Sequence, residues 1–155
     1  MRFIFKNNVY YSMPILDDLS QGSRIAYIRK FRFLTQDDVS DSLGLTGESK
    51  RRTITRYESG ERVPKDERLK ELSKILLTNI NMIKVYDFKS ESDLVYLLLW
   101  LEIKYPSLRI DIDTKSNKFD KFLKVWNEMR LKYQAGKIKL EDYIEWKLTY
   151  EYGEW

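Results

Sequence analysis

Neither cysteine nor histidine occurs anywhere in this chain of 155 residues. Without thiols there is no disulfide framework, no thiolate metal ligand and no cysteine nucleophile. Without imidazole there is no histidine ligand and no histidine acid–base chemistry. Carboxylates, lysines and tyrosines remain, but no Gly-rich phosphate loop or catalytic motif accompanies them. The expectation is a protein that is not an enzyme, with no cofactor and no metal. Lack of cysteine also suits a reducing compartment, and the expected location is cytoplasmic. Proline and glycine are scarce, 3 and 6 residues, so no long flexible linker is announced. The opening MRFIFKNNVYYSMP has no apolar core long enough for a secretory signal. The longest apolar run, residues 94–101, is far short of the ~20 residues a membrane helix needs, so no membrane contact is expected.

What is present is a globular composition. Apolar residues make up 43% of the chain and aromatics 14%, enough to build a core. The net charge of +4 says little until it is located. Residues 20–77 carry 13 basic and 9 acidic side chains, whereas 78–155 carry 13 of each, so the excess falls in the middle segment. That segment holds Lys50, Arg51 and Arg52 in a row, then Arg56 and Arg62.

Residues 1–19 read as an N-terminal extension. Phe3 and Phe5, then Val9, Tyr10 and Tyr11, flank Lys6-Asn7-Asn8, a pattern open to a short hairpin, a docked arm or a floppy tail. From Gly22 helical signals dominate. Ser20 or Ser23 caps a first helix with Ile25, Ile28 and Phe31 inward. Thr35 caps a second over residues 36–43, with Asp37 and Asp38 in the first turn where the macrodipole favours acids. Gly44 then suits a left-handed stop. Ser49 is placed to cap a third helix with Ile54 and Tyr57 inward, ended by Ser59-Gly60. Pro64 opens a fourth with Leu69, Leu72 and Ile75, and Ile80, Ile83 and Val85 mark a short fifth.

After Asp87 the character changes. Ser90 or Ser92 caps a helix apolar on two sides: Leu94, Leu97, Leu98, Leu101 and Tyr105 on one, Val95, Leu99, Trp100 and Ile103 on the other. Such a helix must be covered on both sides, by the first domain and by the C-terminal region or a second subunit. Leu108, Ile110 and Ile112 alternate with Arg109, Asp111 and Asp113, which predicts one short strand with the acids on its wet face. Phe119, Phe122, Leu123, Trp126, Met129 and Tyr133 form a helical stripe up to Gly136, and Leu140, Ile144 and Leu148 begin another. Spacing assigns the four Trp and most Tyr residues to the core, and Glu141, Asp142 and Glu145 to exposed helix charges.

Helices of about 12, 8 and 9 residues with a glycine turn between the second and third make the helix-turn-helix pattern. In that arrangement the third helix lies in the DNA major groove, and its outer face carries long polar or cationic side chains. Lys50, Arg51, Arg52, Thr53, Thr55 and Arg56 surround the inward Ile54 and Tyr57 as this requires. With Arg29 in the first helix, Leu34-Thr35-Gln36, Gly44-Leu45, Ile54-x-x-Tyr57-Glu58-x-Gly60 and Pro64, residues 22–83 resemble the Cro/C1-type, or XRE, helix-turn-helix family.

The resemblance implies a mainly α fold: a five-helix DNA-binding domain over 20–87, then a smaller, mostly helical region over 88–155 with one or two short strands. It implies that Gln36 bonds a DNA phosphate, and that Arg51, Arg52, Thr53, Thr55 and Arg56 reach base edges or nearby phosphates, with Lys50 and Arg62 in the same basic set. It also implies a structural, partly buried ion pair between Arg29 and Glu58. One departure stands out: about four extra residues, Thr46-Gly47-Glu48-Ser49, separate Gly44 from Ile54. They leave two outcomes, a later start for the third helix or an added N-terminal turn. The expected role is a repressor of phage or mobile-element origin, binding palindromic double-stranded DNA as a homodimer through an aromatic 88–155 surface. The tail, with Trp100-Leu101-Glu102, Gly136-Lys137-Ile138 and Tyr143-Ile144-Glu145-Trp146-Lys147, resembles tails of some Firmicutes and phage XRE-type proteins. Its charge balance leaves room for a protein partner at 88–155, as in an anti-CRISPR-type nuclease inhibitor.

Overall fold

The computed structural model describes residues 3–153, apart from the side chain of Phe5. These residues form a hairpin, β1 (Phe3–Lys6) and β2 (Val9–Ser12), followed by eight helices. The helices are α1 (Gln21–Phe31), α2 (Gln36–Ser42), α3 (Lys50–Ser59), α4 (Asp66–Ile75), α5 (Ile80–Ile83), α6 (Glu91–Lys104), α7 (Asn117–Gln134) and α8 (Leu140–Thr149). The fold is mainly α, as the sequence predicts.

The N-terminal alternatives resolve to a docked hairpin. Asn7 and Asn8 both take positive φ, 51° and 62°, which is the two-residue turn whose twist matches paired strands. Ile4 pairs with Tyr11 in the ladder and is buried. Tyr11 meets the Phe33 ring edge-on at 4.8 Å, and the Lys6 ammonium sits 4.4 Å from the same ring centre. Phe33 itself has φ 59°, a left-handed conformation that costs a bulky side chain energy and persists only when its neighbours fix it.

Caps set most helix starts. The Ser20 hydroxyl accepts from Ser23 N–H, and Thr35 and Asp38 form a reciprocal capping box. Ser49 occupies the cap position of α3, but its side chain makes no cap bond, and α2 ends at Ser42 with Leu43 as its cap residue. Gly22 is where α1 crosses the end of α3: a Cβ there would lie 2.3 Å from the Glu58 carbonyl oxygen. Arg24, almost fully buried, donates to the carbonyls of Leu19, Met82 and Lys84 and so ties α1 to α5.

α6 is covered on both sides, as its apolar girth demands. Trp100 is fully buried, meets Tyr27 of α1 edge-on at 5.6 Å and donates its indole N–H to the Met82 carbonyl. On the other side Phe119, Phe122 and Trp126 of α7 and Tyr143, Ile144 and Leu148 of α8 complete one continuous core. Leu94 and Tyr105 stay exposed at the ends of the α6 stripe. α8 also grips the first five helices directly. The Leu148 carbonyl accepts from Asn79 N–H at 2.8 Å and from the Thr78 hydroxyl at 2.6 Å, and Glu145 pairs with Arg32.

Two expectations need correction. The alternating stretch at Leu108–Ile110–Ile112 is not a strand, and the sheet lies in the N-terminal extension instead. A strand needs a partner for its backbone ladder, and here β1 and β2 pair only with each other. Glu145 is not merely solvated: it is an ion-pair partner across 113 positions of chain.

Candidate nucleic-acid interface

α2, α3 and the turn between them form the site. The extra residues of the turn fall outside helix: Gly44 and Gly47 take φ 69° and 86°, and α3 begins late, at Lys50. Ile54 and Tyr57 are buried and hold α3 from behind, leaving its other face in solvent. At 3.6 residues per turn, Arg52 and Arg56 stack one above the other on the side away from Ile54, and Arg51 and Thr55 stack along the flank beside them. All four are exposed.

The charges on this face differ in how tightly they are held. Arg52 has no ion-pair partner among the described residues, and Arg56 has only a loose, exposed contact with Glu61 at 3.6 Å. Arg62, past the end of α3, is exposed with its guanidinium 5.8 Å from the Tyr57 ring centre. Lys50, by contrast, lies four residues before Ile54 and therefore near the inward side; it bonds Asp41 of α2, which raises the lysine's pKa above its usual value. Thr53 is half-buried and lines a shallow cleft with Leu45 and Arg68.

Gln36 sits at the hub of a hydrogen-bonded chain. Its Nε2 donates to Glu58 Oε2 at 2.9 Å; its Oε1 accepts from Arg51 Nε at 3.0 Å and from the Thr55 hydroxyl at 3.2 Å. Glu58 in turn receives Arg29 through Nε at 2.5 Å and Nη2 at 3.1 Å, a bidentate and mostly buried pair. Arg29 also donates to the Leu34 carbonyl, fixing the loop that leads into α2. One connected network thus runs from α1 through α3 to the first residue of α2 and on to Arg51. The structure brings together Gln36, Arg51, Thr55, Arg29 and Glu58. It leaves Arg52 and Arg56 facing outward alone, and turns Lys50 aside.

A helix–turn–helix presenting a cationic third helix defines a class, the DNA-binding helix-turn-helix domains. Residues 25–81 match the helix-turn-helix family model, and this part of the chain is a Cro/C1-type domain. Comparison with curated proteins and with solved structures finds no match. The matched domain is of a DNA-binding, transcription-regulating kind. No helix among the described residues is long and apolar enough to cross a membrane.

Sequence reasoning missed the charged residues that fix the packing: Arg24 ties α1 to α5, Arg32 joins the first half to α8, and Glu102 with Lys147 links α6 to α8. The only linear signal was that each sits among apolar helix positions, where a charge needs a partner. It also missed that Arg51 is engaged by Gln36 while Arg52 is not, a difference that depends on where α2 begins in space.

Proposed function

We propose that this protein is a sequence-specific transcriptional regulator that inserts the outer face of α3 into the major groove of duplex DNA. The observation that carries this reading is the pair Arg52 and Arg56, exposed on one face of a helix anchored from behind by Ile54 and Tyr57. Arg52, unpaired within the described residues, is the base-reading candidate; an arginine suits the paired acceptors of a guanine edge. Thr55 and Arg56 flank it. Arg51, Thr53 and Arg62 serve neighbouring phosphates while Lys50 stays with Asp41, and Gln36 bonds a phosphate while keeping its link to Arg51. Arg29 and Glu58 position Gln36 and do not touch DNA.

One such helix reads only a few base pairs, so the active species is a homodimer on a palindromic site with half-sites roughly 34 Å apart. The protein represses by occluding a promoter, in a phage or mobile element. Within 88–155 the rings of Phe122, Trp126 and Tyr143 are packed inside the chain. The dimer contact therefore draws on exposed apolar residues of 88–155 such as Leu94 and Leu131. Selection of bound sequences from random DNA defines the operator. On it, Arg52→Ala is expected to cost about 1–3 kcal/mol of binding, with little change on random duplex. Equal losses on both would make Arg52 a phosphate contact. No binding by the wild type to any duplex at low salt would end the regulator reading.

A further inference from the structure

The equal numbers of acids and bases in the C-terminal half conceal a segregation. Residues 115–139 hold eight basic side chains and two acids, Asp120 and Glu128. Seven of the eight bases are exposed lysines. Among the described residues none of these lysines forms an ion pair, whereas Arg130 and Lys147 are both spent on Glu102.

Helix geometry gathers four of the seven into a row. At about 100° per residue, Lys118, Lys121, Lys124 and Lys132 fall within an arc of roughly 80° on α7. Lys121, Lys124 and Lys132 lie roughly 120–160° around the helix from the buried Trp126, so they point away from the core. From Lys118 to Lys132 the row runs roughly 21 Å, more than half of a ~34 Å duplex turn. Glu128 is the one acid within it; Asp120 and the exposed Leu131 lie on the flank.

The same geometry sets this row opposite the α3 arginines. On α1, Gly22 and Arg29 meet α3, whereas Tyr27, which meets Trp100 of α6, lies roughly 140–160° around the helix from both. On α6, Glu102, which bonds Trp126 of α7, lies roughly 160° around from Trp100. The order through the molecule is therefore α3, α1, α6, α7, with a cationic face at each outer end. With packed helices 8–10 Å apart, the axes of α3 and α7 are separated by roughly 25–30 Å. A duplex seated on the outer side of α3 leaves the α7 face free.

We propose that the lysine row of α7 binds the phosphate backbone of a second duplex without reading its sequence, so that one chain holds two DNA segments. Lysine suits this task, being a point charge and not a forked base reader. Phosphate contacts need cations and carry no sequence information. An acidic protein surface is a poorer fit, because a protein interface needs a desolvated apolar centre and the row holds no large apolar side chain. Holding two segments at once rests on the α3 reading above; the lysine row by itself does not.

The test uses the full chain carrying Arg52→Ala and Arg56→Ala, which disables α3, with and without Lys121→Gln, Lys124→Gln and Lys132→Gln. Without the lysine changes this protein is expected to retain binding to a random-sequence duplex, read by fluorescence anisotropy. With them, affinity should fall at least about tenfold, and the slope of log K against log salt by about 2–3, since each lost phosphate contact removes ~0.9. In the otherwise wild-type chain the lysine changes should leave preference for the selected operator intact. They should also abolish capture of a second, labelled duplex by bead-bound operator. An unchanged salt slope, no capture by the wild type, or equal competition by polyglutamate would overturn the proposal. A wild type that shows no operator preference, yet binds random duplex through these lysines, would refute the α3 reading and support the α7 site.

Discussion

The two halves of this molecule use the same residue types in opposite ways. On α3 the arginines face solvent, and Arg52 and Arg56 are held loosely or not at all. In the C-terminal half, Glu102 and Lys147 are 6% and 2% exposed and sit at the centre of a closed polar cluster. A charge in water costs little to keep unpaired and is available to a partner. A charge out of water must be matched inside the chain, and its removal is expensive. The first arrangement suits the polyanion proposed above, and the second holds helices at fixed spacing.

The largest test of that contrast is Glu102→Ala. It removes the buried carboxylate that Lys147, Trp126, Tyr143 and Arg130 all meet, and a loss of about 3–5 kcal/mol in chemical denaturation is expected. A loss below about 1 kcal/mol would mean that the cluster is solvated and the contrast false. The same residue sets an acid limit. Its folded pKa lies below its ordinary value of 4.5, so its contribution is fully present above that value and is lost as pH falls through the lower folded value. Denaturation midpoints should therefore fall with acidification below about pH 4.5, and less so in a Glu102→Gln background.

Gly22→Ala comes next. Its new methyl meets the Glu58 and Tyr57 carbonyls at 2.3 and 2.7 Å, backbone atoms that cannot rotate away. Destabilisation of about 1–3 kcal/mol is expected, with DNA affinity falling alongside because α3 is displaced. Glu145→Gln should cost less, about 0.2–1 kcal/mol, since that carboxylate is 44% exposed and screened. Arg52→Ala should leave stability within about 0.5 kcal/mol while lowering specific DNA binding. An Arg52 variant that unfolds the protein would place this arginine with Glu102 and erase the distinction between the halves.

Much of the DNA-facing half was legible in the linear sequence. Thr35 with Asp38, Gly44, Ile54 with Tyr57 and Gly60 act through local geometry, caps and helical periodicity that need no distant partner. Even the turning aside of Lys50 follows from its place four residues before Ile54. The stretch from Leu108 to Asp113 misled, because alternation describes a strand's faces and not whether a neighbouring strand exists. The hairpin stayed open because its stability depends on Phe33, some 20 positions away, which Tyr11 and Lys6 must find in space.

Sequence alone thus determined the helices, the helix-turn-helix and the outward basic face of α3, since each depends on contacts within a few residues of chain. Only the tertiary structure decided that Gln36 engages Arg51, that Arg32 joins Glu145, and that four donors converge on Glu102. Those pairings join residues separated by tens of positions or more, and burial, not local spacing, dictates which charges must meet.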